Sequence, residues 1–385
     1  MFSSRSSFDL RLNRLAAALA EARASGRVVL DLTESNPTRA SIPYDRGAIL
    51  GALALPDSLR YDPSPFGLPA ARAAVARDLG ASGTPIDATR IVLTASTSEA
   101  YSFLFKLLAD PGDEVLAPVP TYPLLEHLAR LETVRLVPYR LVYDGAWHVD
   151  FDSMRAALSS RTRAIVLVNP NNPTGSYLKQ GELDAIASLG VPLISDEVFA
   201  RYPLHEGCSA PTSVLPGHAA PLVFALGGLS KLAALPQMKL AWIALGGATD
   251  RVDAALARLE IIADAFLSVG TPVQNALPAL LASRGAATKA VIERTRSNLA
   301  HLHEAVARSA VSVLAVEGGW YGILRLPKTR TEEDWVLTLL EKDSVHVHPG
   351  HFFDFEQEAY LVVSLLTPEA VFHEGIRRLV GRAGA

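Results

Sequence analysis

Ala164-Ile165-Val166-Leu167-Val168-Asn169-Pro170-Asn171-Asn172-Pro173-Thr174-Gly175 is the stretch on which the fold turns. Its first five residues are apolar without alternation, as in a strand covered on both faces of a parallel sheet. The seven that follow are turn formers. The carboxyl end of a buried strand is where open α/β sheets hold ligands, although the same composition also suits an ordinary turn. Outward from this point, short apolar runs recur at 91–94, 114–117 and 135–138 before it, and at 193–196, 222–226 and 240–245 after it. Helical stretches separate them, such as 99–109, stopped by Pro111-Gly112, and 181–189, stopped by Gly190. The alternation predicts an α/β fold: a large domain with a mostly parallel, doubly wound central sheet flanked by helices.

Beyond Asp250 the pattern changes. Residues 254–283 and 286–308 read as long helices, followed by strands at 321–326, 345–348 and 360–365 and a closing helix at 368–381. This predicts a smaller α+β domain beside the first. The expected division is a large domain at 46–283 and a small domain built from 1–45 and 284–385. Near the start, Leu12, Leu15, Ala16, Leu19 and Ala22 recur at helical spacing, broken by Arg11, Arg14, Glu21 and Arg23. That is an amphipathic helix rather than a signal-peptide core.

Of the 385 residues 49% are hydrophobic and 20% charged, and the formal net charge is −4. Such a composition excludes a disordered chain, and the charge leaves no electrostatic footprint for nucleic acid or an anionic membrane. No apolar run approaches the ~20 residues of a membrane span. The single cysteine, Cys208, cannot form an intrachain disulfide and fits a reducing cytoplasm.

Two further constellations sit at strand ends. Asp196, in Ser195-Asp196-Glu197, is either a helix cap or a buried acid paired with a cationic ring nitrogen. Lys231 follows Gly227-Gly228-Leu229-Ser230 and precedes the apolar stretch Leu232-Ala233-Ala234-Leu235. It is either a snorkelling surface lysine or an amine desolvated for Schiff-base chemistry.

Taken in order, these signals resemble the pyridoxal-phosphate (PLP) aminotransferases of the class I/II superfamily, fold type I, aspartate-aminotransferase-like. The resemblance runs from Asp31-Leu32-Thr33-Glu34-Ser35-Asn36-Pro37 to Val362-Val363-Ser364. Between them lie Tyr61-Asp62-Pro63 with Gly67, Pro111-Gly112-Asp113-Glu114-Val115 and Pro120-Thr121-Tyr122-Pro123. It implies that Lys231 carries pyridoxal 5′-phosphate as an aldimine and shuttles the substrate's α-proton. It implies that Asp196 keeps the pyridine nitrogen protonated, that Asn172 bonds the ring's phenolic oxygen, and that Tyr122 stacks on the ring. Ser96, Thr97 and Ser98, ahead of a helix, form a natural phosphate site. The resemblance adds Ser230 and Lys239, and Tyr61 reaching the phosphate of a neighbouring subunit, hence a homodimer. It implies no metal.

The sequence departs from that pattern at several points. Phe199 stands where the family has a tyrosine, and Tyr202 is the nearest substitute. Lys239 replaces an arginine and keeps the charge without the bidentate fork. Gly228 replaces a serine. Val362 occupies the place of the arginine that grips the substrate carboxylate. Arg325 and Arg201 are the replacements to examine, with His348 and His351 as loop residues near the substrate. The expected activity is transfer of an amino group between an amino acid and a 2-oxo acid. A PLP-dependent lyase, cyclase or decarboxylase is the alternative raised by Val362, and a non-catalytic PLP sensor is a third. Aspartate, glutamate and alanine are expected to bind weakly, and Val362→Arg to improve them.

Overall fold

The computed structural model of the protein describes residues 1–205, 213–215 and 221–384. Cys208 lies outside them. The strands, in chain order, are β1 (Leu30–Asp31), β2 (Ile91–Thr94), β3 (Glu114–Val119), β4 (Arg135–Tyr143), β5 (Trp147–Val149), β6 (Thr162–Val168), β7 (Leu193–Asp196), β8 (Val223–Gly228), β9 (Ala241–Gly246), β10 (Ser312–Val313), β11 (Tyr321–Arg325), β12 (Val345–His346), β13 (His348–Pro349) and β14 (Tyr360–Ser364).

Eight strands form one sheet in the order β2-β9-β8-β7-β6-β3-β4-β5. From β8 through β7, β6 and β3 to β4 the pairing is parallel. The two edges are antiparallel, with β9 between β2 and β8 and β5 on β4. Both faces are covered, as apolar runs without alternation require. On β6, Val166 packs with Phe103 and Leu104 of the helix Thr97–Leu108, while its neighbours Ile165 and Leu167 pack on the other face with Leu183 and Ile186 of the helix Gln180–Ala187.

Residues 254–283 do not form one helix. The chain forms Thr249–Asp264 and Thr271–Ser283 instead, with Leu267 in a left-handed conformation (φ 44°) between them. Pro272 has no N–H to give a preceding turn, so it opens the second helix rather than continuing the first. The expected strand at 345–348 also divides. β12 pairs in parallel with β1, whereas β13 joins an antiparallel sheet of order β10-β11-β14-β13. Behind that sheet one apolar core gathers Leu15 and Leu32 from the chain's beginning with Leu302, Trp335, Phe372 and Ile376 from its end.

Candidate active site

The carboxyl ends of β6, β7 and β8 and the start of the helix Thr97–Leu108 open onto one cleft of about 980 Å³ of empty space. Thr97, Ser98, Tyr122, Asn172, Asp196, Ser230 and Lys231 all line it. Residues far apart in sequence thus meet in one place.

Each is positioned by its local structure. Lys231 sits in the one-turn helix Leu229–Leu232 that leaves β8. Gly227 and Gly228 let β8 approach β9 closely: a Cβ on Gly227 would fall 2.6 Å from the indole nitrogen of Trp242, and one on Gly228 2.9 Å from the Cβ of Ala241. Burial holds the Lys231 amine down at about 8, against a smaller opposing pull from Asp196. Its Nζ stands 5.0 Å from the ring centroid of Trp320 and 5.4 Å from that of Phe199. The aromatic faces shield it from water and still favour its charge.

Asp196 ends β7. Burial pushes its carboxyl up to about 6, while hydrogen bonds from the Val198 amide (3.2 Å) and the Tyr101 hydroxyl (3.4 Å) oppose the shift. Asn172 is buried, and its side-chain oxygen has no hydrogen-bond partner among the described residues. The start of the helix Thr97–Leu108 also lines the cleft, through Thr97 and Ser98 with Ser230 beside them, a natural anion site. The residues therefore fit a phosphorylated pyridine. They supply an acid for the ring nitrogen, a buried carboxamide for the phenolic oxygen, a helix terminus for the phosphate and a desolvated amine.

Other expected residues lie elsewhere. Ser96 caps the helix, its hydroxyl accepting from the Glu99 amide at 3.2 Å, and it does not line the cleft. Lys239 is exposed, in a left-handed conformation, and outside the cleft. Tyr61 is 76% exposed and belongs to a separate hollow with Ser268 and Gln274. Tyr202 does not stand in for the tyrosine missing at Phe199, because its hydroxyl donates to the backbone carbonyl of Lys231 at 2.5 Å.

None of the residues considered for the carboxylate enters the cleft. Val362 is fully buried in an apolar cluster with Trp147, Leu314, Ile323 and Phe353. Arg201 pairs with Asp78 at 3.4 Å, and Arg325 is exposed at the end of β11. His351 pairs with Glu332 at 3.2 Å, and that hydrogen bond raises its imidazole above the ordinary value. Burial pushes His348, which faces Val362 across β13 and β14, down to about 4. Lys231 is the one cationic side chain among the described residues lining the cleft.

Sequence reading missed Tyr101, Thr121, Trp320 and Tyr321. Tyr101 could have been found, since it lies four residues after Thr97 on one helix face. The others carry no signal that separates them from core residues.

A family model described as aminotransferase class I and II matches residues 6–379. Nicotianamine aminotransferase A of Hordeum vulgare is 32% identical over 271 residues, 66% of this chain and 57% of that protein. S-alkyl-thiohydroximate lyase of Arabidopsis thaliana is 30% identical, over 66% of this chain and 57% of its own length. The chain thus spans little more than half the length of these curated relatives. Alanine aminotransferase from Pyrococcus furiosus superposes over 100% of this chain and 99% of its own with a TM-score of 0.89 at 23% identity, a likeness of fold.

Proposed function

The chain belongs to the aminotransferase class I and II family, whose cofactor is pyridoxal 5′-phosphate, and on that premise we propose that it transfers amino groups between an amino donor and a 2-oxo acid. The observation that carries this reading is the convergence of Lys231, Asp196, Asn172 and Tyr122 in one cleft with a helix N-terminus. When bound, the cofactor supplies an electron sink for the bond-breaking at the substrate's Cα.

The side chains do the rest. With its amine held at about 8, Lys231 is about one-fifth neutral near pH 7.4, far more than an ordinary lysine, so it can act as a nucleophile and then as a base at the substrate's Cα. Asp196 holds a proton on the ring nitrogen, and Tyr101 orients that carboxylate. Asn172 donates to the phenolic oxygen, and Tyr122 covers the ring face. Thr97, Ser98 and Ser230 hold the phosphate. Lys239 and Tyr61 lie outside the protomer's own cleft; we assign Tyr61 to the partner's phosphate in a homodimer and keep Lys239 as a cation near the phosphate. Residues 46–283 form the cofactor-binding domain, and 1–45 with 284–385 the small one. We place the protein in the cytoplasm; among the described residues no helix is long and apolar enough to cross a membrane.

A second reading, elimination by a lyase on the same fold, is favoured by the buried position of Val362 and by the lyase among the relatives. The half-reaction separates the two. Amino donor plus holoenzyme should give the carbonyl product and the amine form of the cofactor in equal amounts. Borohydride reduction should fix the pyridoxyl group on Lys231. Product without conversion of the cofactor supports the lyase, and a label on another lysine overturns the site.

A further inference from the structure

We propose that the rings of Trp320 and Phe199 form an aromatic seat for the protonated amine of Lys231, with Trp320 as the residue that positions and sustains that charge while the lysine carries the substrate's α-proton. The inference rests on the aminotransferase reading and deepens it, because it names what holds the lysine between taking the proton and giving it up.

The two rings come from different sheets. Phe199 follows β7 of the eight-stranded sheet, and Trp320 stands just before β11 of the four-stranded one. They meet edge to face, with centroids 5.2 Å apart at 71°. The Lys231 Nζ lies 5.0 Å from the Trp320 centroid and 5.4 Å from that of Phe199, within the reach of a cation on a ring face. Packing holds the seat in place. Tyr202 sets its ring edge-on to Trp320 with centroids 5.1 Å apart while its hydroxyl donates to the Lys231 carbonyl, and the Trp320 carbonyl accepts from the Leu365 amide at 2.7 Å. Both rings of the seat are buried.

Little else takes the charge. No side-chain hydrogen bond from a described residue reaches Nζ, and the charge that acts on it is Asp196, through space. Glu197 lies outside the cleft, against the Val214 amide. Tyr101, Tyr122 and Tyr321 line the cleft and Tyr202 lies behind the lysine; burial raises all four, so they stay neutral while the amine titrates. With Asp196 engaged by the cofactor's ring nitrogen, the aromatic faces are what remains for an ammonium withdrawn from water.

A second observation is independent of the amine. The indole nitrogen of Trp320 is buried and has no hydrogen-bond partner among the described residues. A buried indole N–H ordinarily finds an acceptor, and one left without costs free energy. The N–H therefore does not account for the residue, and a phenylalanine would serve an apolar core without that cost. What tryptophan adds is the ring face that binds a cation most strongly.

The test places mono-, di- and trifluorinated tryptophans at position 320 of the full chain, which keeps the shape of the side chain and drains charge from its face. Lys231 lines the cleft, so in the cofactor-free protein its amine is titrated by trace acetylation with acetic anhydride across pH, read by peptide mass mapping against the exposed Lys289. The midpoint of Lys231 should fall stepwise along the series, by about 0.4–1.5 pH units in all, with Tm unchanged. Fluorinated phenylalanines at position 199 should act in the same direction. In the holoenzyme, kcat for transfer from tyrosine and alanine should fall about two- to tenfold along the tryptophan series while KM stays nearly constant. A midpoint indifferent to fluorination at 320, or a kcat indifferent to it while the midpoint falls, overturns the inference and leaves the aminotransferase reading standing. A falling midpoint in a holoenzyme that transfers from none of the common amino acids overturns the aminotransferase reading and leaves the seat standing.

Discussion

Placing an arginine at position 362 should damage the protein rather than restore a carboxylate grip. The sequence suggested the opposite, because the family's arginine stands there. In the structure Val362 has no exposed surface, pairs in register with Ile323 and His348, and packs on Trp147, Leu314 and Phe353. Its register partners are Ile323 and His348, and burial holds His348 neutral, so neither offers the guanidinium a counter-charge. An uncompensated buried charge costs about 3–5 kcal/mol, and the added atoms strain a filled core by about 1–3 kcal/mol more. With an unfolding entropy of about 2.1 cal/mol/K per residue, the 385 residues give roughly 0.8 kcal/mol/K. A loss of about 4–8 kcal/mol then lowers Tm by about 5–10 °C. Urea titration and scanning calorimetry of wild type, Val362→Arg and Val362→Met measure this, the methionine separating size from charge. The reasoning is refuted if Val362→Arg unfolds within about 1 kcal/mol of the wild type, or if it gains transfer from aspartate.

Three other outcomes are expected. Tyr202→Phe removes a 2.5 Å hydrogen bond to the Lys231 carbonyl, which still accepts from the Ala234 amide at 3.0 Å. It should cost about 1 kcal/mol, read as a shift in urea midpoint, and an unshifted midpoint contradicts the assignment. Burial pushes Glu197 from 4.5 up to about 7, so its contribution to stability is complete below pH 4.5 and is lost as pH rises through 7. Glu197→Gln keeps an acceptor for Val214 and Ser195 and should remove a fall of about 3 kcal/mol between those limits, of which about 2 kcal/mol lies between pH 5.5 and 8, where urea unfolding reads it; an unchanged slope shows that Glu197 is not the group responsible. Light scattering should find a dimer at assay concentration, and an active monomer excludes a shared site at Tyr61.

The sheet and its ligand-bearing edge were legible because a strand buried on both faces must be apolar throughout. Such a strand leaves a polar residue only where it emerges, as at Asn169, Asp196 and Ser230. The antiparallel direction of β9 was not legible, since an apolar run has no polarity of its own. The switch of sheets between β12 and β13 depends on a pairing with Leu30–Asp31 that no local pattern announces. At the site, Lys231 and Asp196 were readable from their chemistry. Trp320 and Thr121 read as ordinary interior residues, because what marks them is the position of other atoms: an amine 5.0 Å from one ring and a missing partner at one hydroxyl. Val362 was read from its motif, and only its packing shows that the position is closed to a charge.

The parallel pairing of β1 with β12 also governs when the molecule can be completed. Asp31 and His346 are 315 residues apart in sequence, and their side chains meet at 3.1 Å. Closing a loop of that length costs about 5 kcal/mol of chain entropy, a cost that nothing local offsets. During synthesis the first segment emerges long before its partner exists. The helix Arg14–Ala24 and Leu32 end in one core with Trp335 and Phe372, so they bury their apolar face only once those later residues exist. Removing the helix Glu369–Ala383 should uncover the face that Leu15 and Leu32 share with Phe372 and Ile376 and leave it open to aggregation.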